Sequence, residues 1–187
     1  NTQAEQVIIG TNAYTGSLTP NLRKRIVPIS SQIIVTEELP IDITQQLIPN
    51  GRTISESGRI TSYYRLLPGD RRVMFGGRPR FSSTHPDISA GLLHKMMVAR
   101  WPQIKDIRLT HSWSGLVAMT ADSLPHIGEE NGIHFCTGCN GSGIAMMTYL
   151  GKKVAQRVIK SSNFESNYMT INFPKIPVPF YNGNPWF

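Results

Sequence analysis

Apolar residues along this chain alternate over short runs for most of its length and recur at helical spacing in two longer stretches. Residues 5–10, Glu-Gln-Val-Ile-Ile-Gly, predict a buried strand ending at Gly10, followed by a loop at Thr11-Asn12-Ala13-Tyr14. Leu18-Thr19-Pro20-Asn21-Leu22 predicts one helical turn with Pro at its start. β-Branched residues crowd 26–38, the pattern of a long strand. From Pro40 to Gly58 the pattern dissolves into Pro, Asn-Gly and Ser, which predicts loop with one short helix. The strongest local signal is a hairpin: 62–67 and 72–76 flank Pro68-Gly69-Asp70-Arg71, and Pro-Gly-Asp supplies turn residues. Leu92, Leu93, Met96, Met97 and Val98 place a helix over 86–101, with Asp87 or Ser89 as caps and Pro102 as its stop. Residues 107–119 alternate as a strand, and Asp122-Ser123-Leu124-Pro125 is a turn with Asp122 as its cap. A short strand at 132–135 leads through glycines into a second helix that starts near Ile144 and runs past Leu150, Val154 and Val158.

The last part behaves differently. From Asn172 to Phe187 the chain is rich in Pro and aromatics, which excludes helix and central strand and predicts an extended tail pinned by its aromatic side chains. At 187 residues, 40% of them hydrophobic, the chain can bury one good core or two small ones. No apolar run reaches the ~18–20 residues of a membrane span. The polar start lacks a signal peptide, so the protein is read as cytoplasmic, with no membrane partner. It also lacks an initiating Met, which predicts a piece of a longer protein or a processed product. The net charge of +7 comes with arginines concentrated between Arg52 and Arg80. No helix-turn-helix, zinc-finger or RNA-recognition pattern accompanies them, so nucleic acid is not the expected partner; a solvated basic face or a site for an anionic group is.

Cys136 and Cys139 form a Cys-x-x-Cys with His134 nearby. A redox pair would open a helix after the first strand of a βαβ unit, and a zinc site would need a further pair of ligands. Neither context is present, so the cysteines are read as small residues in a tight turn, and no metal is expected. That turn, Gly138-Cys139-Asn140-Gly141-Ser142-Gly143, carries the chemistry. Glycine allows close backbone approach, and the free N–H groups of a first helical turn attract negative charge. His111, His126 and His134 lack a catalytic context and are read as structural.

Taken in order, Thr11-Asn12-Ala13-Tyr14, Pro28-Ile29, Thr36-Glu37, Tyr64-Arg65-Leu66, Phe75-Gly76-Gly77-Arg78, Trp113-Ser114-Gly115, Thr120-x-Asp122-x-x-Pro125-x-Ile127-Gly128 and Gly138-x-Asn140-Gly141-x-Gly143-Ile144-Ala145 resemble the C-terminal half of the D-amino-acid-oxidase-like (DAO) family of FAD-dependent oxidoreductases. The pattern is most similar to its γ-glutamylputrescine oxidase and glycine/sarcosine-oxidase branches. The resemblance covers almost the whole chain but not the strand and GxGxxG turn with which that family opens. It implies an α+β fold. A mixed, largely antiparallel sheet with flanking helices would form the substrate-binding domain, and the strand–glycine turn–helix would close an FAD-binding domain whose N-terminal Rossmann part is absent. The implied divisions are 1–25, end of the FAD-binding domain; 26–110, substrate-binding domain; 111–160, return to the FAD-binding domain; and 161–187, tail.

The resemblance also implies roles. FAD would be held non-covalently, since no cysteine accompanies Trp113–Gly115. Gly10, Thr11, Trp113, Gly115, Gly138, Asn140, Gly141, Ser142, Gly143 and Ile144 would line it. The N–H groups of Gly141, Ser142, Gly143 and Ile144 would face the pyrimidine end of the flavin ring, where negative charge develops when it accepts a hydride. Substrate, an amine or amino acid, would meet Tyr63, Tyr64, Arg65 and Arg78. Tyr63 and Arg65 share one strand face and Tyr64 and Leu66 the other, so only one set can line a pocket. Arginine is the natural carboxylate clamp because its planar fork gives two parallel bonds. The missing N-terminal half would be the chain's partner, and the chain alone is expected to be inactive and to carry no flavin. The competing expectation is a cofactor-free fragment or interaction module.

Overall fold

A computed structural model describes residues 3–58, 61–79, 86–160 and 171–177. Arg59, Arg80 and the aromatics of the tail beyond Pro177 lie outside the described residues, as does the side chain of Asp87. The chain divides into two compact units. One combines Asn1–Ile29 with Leu116–Phe187, and the other is Ser30–Gly115. The breaks fall inside two long strands, β2 (Val27–Thr36) and β6 (Leu109–Met119).

The second unit is a five-stranded sheet backed by a helix. Its order is β3 (Ile54–Ser55), β4 (Ser62–Leu66), β5 (Val73–Gly77), β2, β6. The expected hairpin is present: β4 and β5 pair antiparallel with Tyr64 opposite Phe75, and β2 pairs β5 with Ile34 opposite Phe75. Alternation therefore sends Ile34, Phe75 and Tyr64 to one face. There they meet Leu93, Met97 and Trp101, spaced at i, i+4 and i+8 along and just past helix α3 (Pro86–Arg100). Tyr64 stacks on Phe75 at 5.5 Å, and Trp101 stands edge-on to Tyr64 at 4.8 Å. Between Pro40 and Gly58 the ambiguous stretch resolves into helix α2 (Ile41–Leu47) and the two-residue β3. Leu47 and Ile48 anchor it in the same core.

In the first unit a three-stranded sheet runs β1 (Val7–Ile9), β8 (Ile133–Thr137), β7 (His126–Glu130). β1 and β8 are parallel, whereas β7 and β8 are antiparallel. β7 was not expected from the sequence. It exists because Asn131 and Gly132 both take positive φ, 52° and 78°, the tight turn that Asn-Gly favours between antiparallel strands. The predicted loop at Thr11–Tyr14 is instead a 3₁₀ turn, Asn12–Tyr14, and the Pro20 turn is helix α1 (Pro20–Arg23). Helix α4 (Gly143–Val158) lays Leu150 and Val154 on Ile127, with Cys136, Met147 and Val158 around them. On the other face Ile9, Ala13, Leu22, Ile26 and Ala118 form a second cluster. The described part of the tail joins that cluster through Phe173, which stacks on His126 at 3.9 Å. Arg25 donates to the Phe173 carbonyl, and the Ile176 N–H donates to Lys24 O.

Candidate functional site

The glycine turn lies in the first unit, tied down from both sides by asparagines. Asn140 sits at φ 46°, a left-handed conformation that Asn tolerates. Its backbone N–H donates to Ala118 O (2.9 Å), and its Oδ1 accepts from Thr120 N–H (3.0 Å). Its Nδ2 donates to Gly138 O (2.7 Å) and Thr120 Oγ1 (3.1 Å), so the amide is fully occupied by protein. Asn12, also left-handed at φ 47°, grips the other flank. Its Oδ1 accepts from Gly138 N–H (3.1 Å), and its Nδ2 donates to Cys139 Sγ (3.1 Å).

Gly138 has two reasons to be glycine. Its φ is 78°, and a Cβ there would lie 2.5 Å from Thr120 Cγ2 and 3.2 Å from Leu124 O. The turn therefore presses its backbone onto the Thr120–Leu124 loop. That loop is organised by Asp122, whose Oδ1 accepts from Leu124 N–H (3.1 Å) and lies 3.2 Å from His126 Nε2. Burial pushes the Asp122 carboxyl up, but bonds from Leu124, His126 and Thr120, with the His126 charge, together hold it below its ordinary value.

This scaffold presents the N-terminus of α4. The Ser142 N–H is spent on Cys139 O (2.8 Å), so it is not available to a ligand in the way the family resemblance implies. The Ser142 hydroxyl does not cap the helix, and the first intrahelical donor into Ser142 O is Met146 N–H. The N–H groups of Gly143, Ile144 and Ala145 are thus the ones a first helical turn leaves over. Beside them the Ile144 side chain is 94% exposed. A flat group with an apolar face and an acceptor edge fits three free donors beside an exposed isoleucine, so the residues present suit a flavin ring. The two cysteines face different surroundings: Cys139 is enclosed with Asn12, while Cys136 packs toward α4 and burial pushes its thiol up. Among the described residues no cluster of His, Cys, Asp and Glu could hold a metal ion.

The cofactor candidates divide between the two units. Gly10, Thr11, Gly138 and Asn140–Ile144 belong to the first unit, whereas Trp113 and Gly115 belong to the second. Trp113 lies on β6, 44% exposed. The substrate candidates all lie in the second unit and divide by strand face. Tyr64 is enclosed by the aromatic core, where desolvation raises its pKa and its hydroxyl donates to Glu56 Oε1 (3.1 Å). Tyr63 and Arg65 point to the opposite face, away from α3. The Tyr63 ring lies over Gly76, where any Cβ would fall inside it, and its hydroxyl is 2.7 Å from Ser31 Oγ. Arg65 lines a cleft with Gly51, Thr53 and Asp70. Arg78 follows β5, half-buried. Asn12, Thr120 and Ser31 were not among the sequence candidates, and each acts through a residue that was.

The fold of the chain matches a solved glycine oxidase from Geobacillus kaustophilus with a TM-score of 0.66 at 20% identity, over 94% of this chain and 46% of that one. That likeness defines a mixed α/β fold shared with oxidases. Residues 1–157 match the FAD dependent oxidoreductase family, DAO, and the chain belongs to it. It is 30% identical over 178 residues to the probable oxidoreductase OrdL of Haemophilus influenzae and 29% identical over 178 residues to the gamma-glutamylputrescine oxidoreductase of Escherichia coli. Those matches cover 92% and 94% of this chain but only 40% and 41% of the relatives, so the chain spans about two fifths of their length.

Proposed function

We propose that this chain is the C-terminal portion of an FAD-dependent oxidoreductase that oxidises a C–N bond of an amine or amino acid. The observation that carries the proposal is the uncapped first turn of α4, held on a turn that Asn12 and Asn140 immobilise. Bound FAD, held non-covalently, supplies the acceptor for a hydride. The residues of this chain do the placing. Gly143, Ile144 and Ala145 offer preorganised N–H donors where negative charge develops, and such donors cost no reorganisation when they are needed. Gly138 keeps the turn close against Thr120, so the donors stay in register. Loss of a hydride from the carbon beside a neutral amine leaves a protonated imine, which water hydrolyses to a carbonyl compound and an ammonium or alkylammonium ion.

On the substrate side, Arg65 and Arg78 are the clamps for a carboxylate, and Tyr63 is the aromatic wall, oriented by Ser31 and seated on Gly76. Tyr64 has no part in this reading, because the core already surrounds it. The missing N-terminal half supplies the remaining FAD-binding surface, and the chain alone is expected to retain no flavin. The test is to purify the longer protein containing this chain and record its visible spectrum. Anaerobic bleaching is then followed on adding γ-glutamylputrescine or glycine, compounds in the names of its relatives, and then other amines. Flavin that co-purifies and bleaches with one of them supports the reading. A colourless protein that takes up no added FAD removes it and leaves a cofactor-free module.

A further inference from the structure

Phe173 belongs to the tail rich in proline and aromatics, beyond residues 1–157, the stretch that matches the oxidoreductase family. It is nevertheless fastened to the first unit. Arg25 donates to its carbonyl, and the Arg25 guanidinium carbon lies 5.4 Å from the centroid of its ring. A little further on, the Ile176 N–H donates to Lys24 O (3.2 Å). Ordering a tail costs conformational entropy, which its contacts must offset. For Phe173 those contacts are the apolar cluster around Leu22 and Ile26, and the His126 imidazole.

His126 is the unusual partner. Its side chain is 1% exposed, and the Phe173 ring lies face to face with it, with centroids 3.9 Å apart and planes 10° apart. Nε2 sits 3.2 Å from Asp122 Oδ1 and 3.1 Å from Oδ2, while among the described residues Nδ1 has no hydrogen-bond partner. An imidazole bonded at one edge is free to swing about that bond, whereas a ring stacked on its face fixes its plane. From His126 two routes reach the glycine turn. Through Asp122, which accepts from Leu124 N–H, the loop is shaped so that Leu124 O accepts from Thr120 Oγ1 (2.9 Å), and both lie against Gly138. Thr120 N–H then donates to Asn140 Oδ1. Through the sheet, His126 pairs with Thr137, the residue before Gly138.

We infer that Phe173 is a positioning residue for the turn that presents the Gly143, Ile144 and Ala145 N–H groups. It acts through His126 and Asp122, so the tail steadies the site from behind. This rests on the reading of that turn as a flavin site.

The test uses the longer protein containing this chain, as wild type and as Phe173→Leu, which keeps apolar bulk in the cluster but no ring on His126. Phe173→Tyr keeps the ring. Amide exchange is first measured with FAD removed. The Thr120 and Asn140 amides should exchange about three- to tenfold faster in Phe173→Leu, and return to within about twofold of wild type in Phe173→Tyr. The Leu150 and Val154 amides should hold steady. Adding Phe173→Leu to Asp122→Asn should speed the turn amides no further than the larger single change, because the two residues act along one line. FAD is then titrated back, and its dissociation constant should rise about three- to tenfold in Phe173→Leu but not in Phe173→Tyr. Turn amides that do not respond overturn the inference. So do Leu150 and Val154 amides that speed up equally, a tyrosine variant that behaves like the leucine one, fully additive effects with Asp122→Asn, or an unchanged dissociation constant in Phe173→Leu. A wild type that takes up no FAD removes the proposed oxidoreductase function, and the exchange measurements then decide whether Phe173 fixes the turn.

Discussion

The two units of this chain are held together by different physics. In the second unit strands β4 and β5 hang on an aromatic core, in which Tyr64, Phe75 and Trp101 are nearly or wholly buried and pack ring against ring. In the first unit the glycine turn is held by hydrogen bonds and by the lack of side chains. Asn12 and Asn140 satisfy its backbone, and Gly138 touches Thr120. Apolar packing tolerates polar substitution at its margin but not loss of volume. A hydrogen-bonded turn tolerates loss of volume nearby but not loss of a partner or gain of a methyl. The two units should therefore fail under different mutations.

The largest separation is expected from Phe75→Ala. Emptying the space between Tyr64, Ile34 and Trp101 should cost about 3–5 kcal/mol in denaturant unfolding of the second unit. Exchange of the Thr120 and Asn140 amides in the first unit should change far less. Next comes Gly138→Ala, which adds strain at positive φ and a clash with Thr120. A loss of about 2–3 kcal/mol is expected, confined to the first unit. Gly10→Ala is its control, since no atom lies within 4 Å of a Cβ there, and should stay within about 0.5 kcal/mol. Equal costs for the two glycines would break the contrast. Asn140→Ala strands the Thr120 N–H and the Gly138 carbonyl and should cost about 1–3 kcal/mol. The accompanying sign is faster exchange at Thr120.

Apart from the Gly10 control, the smallest effect should come from Asp122. Its carboxyl titrates below its ordinary value when folded, so its contribution is whole above about pH 4 and is lost as pH falls through the lower folded value. Asp122→Asn should cost about 1 kcal/mol at neutral pH and flatten the acid limb of stability against pH. An unchanged acid limb would mean the Leu124 and His126 bonds do not hold the charged form.

Local patterns in the sequence carried most of the fold. The 62–76 hairpin was legible because Pro68-Gly69-Asp70 separates two alternating runs, and α4 because its apolar residues recur at helical spacing. β7 was not legible from periodicity, since Ile127 is the one aliphatic residue in His-Ile-Gly-Glu-Glu. Its signal was the Asn131-Gly132 pair that follows. The site was harder to read. Alternation left open which face of β4 meets a pocket, because both Tyr63 and Tyr64 are aromatic. Only the tertiary packing of Trp101 and Phe75 assigns Tyr64 to the core. Asn12 could not be seen as a clasp at all, because its partners lie more than 120 residues away in sequence.

The proposed function places a flavin at the first turn of α4. The most direct measurement is amide exchange at Gly143, Ile144 and Ala145 in the longer protein containing this chain, with FAD bound and with FAD removed. These three amides are expected to exchange more slowly with FAD bound, while Leu150 and Val154 in the same helix hold steady. Equal exchange at 143–145 in a protein that demonstrably holds FAD would contradict it.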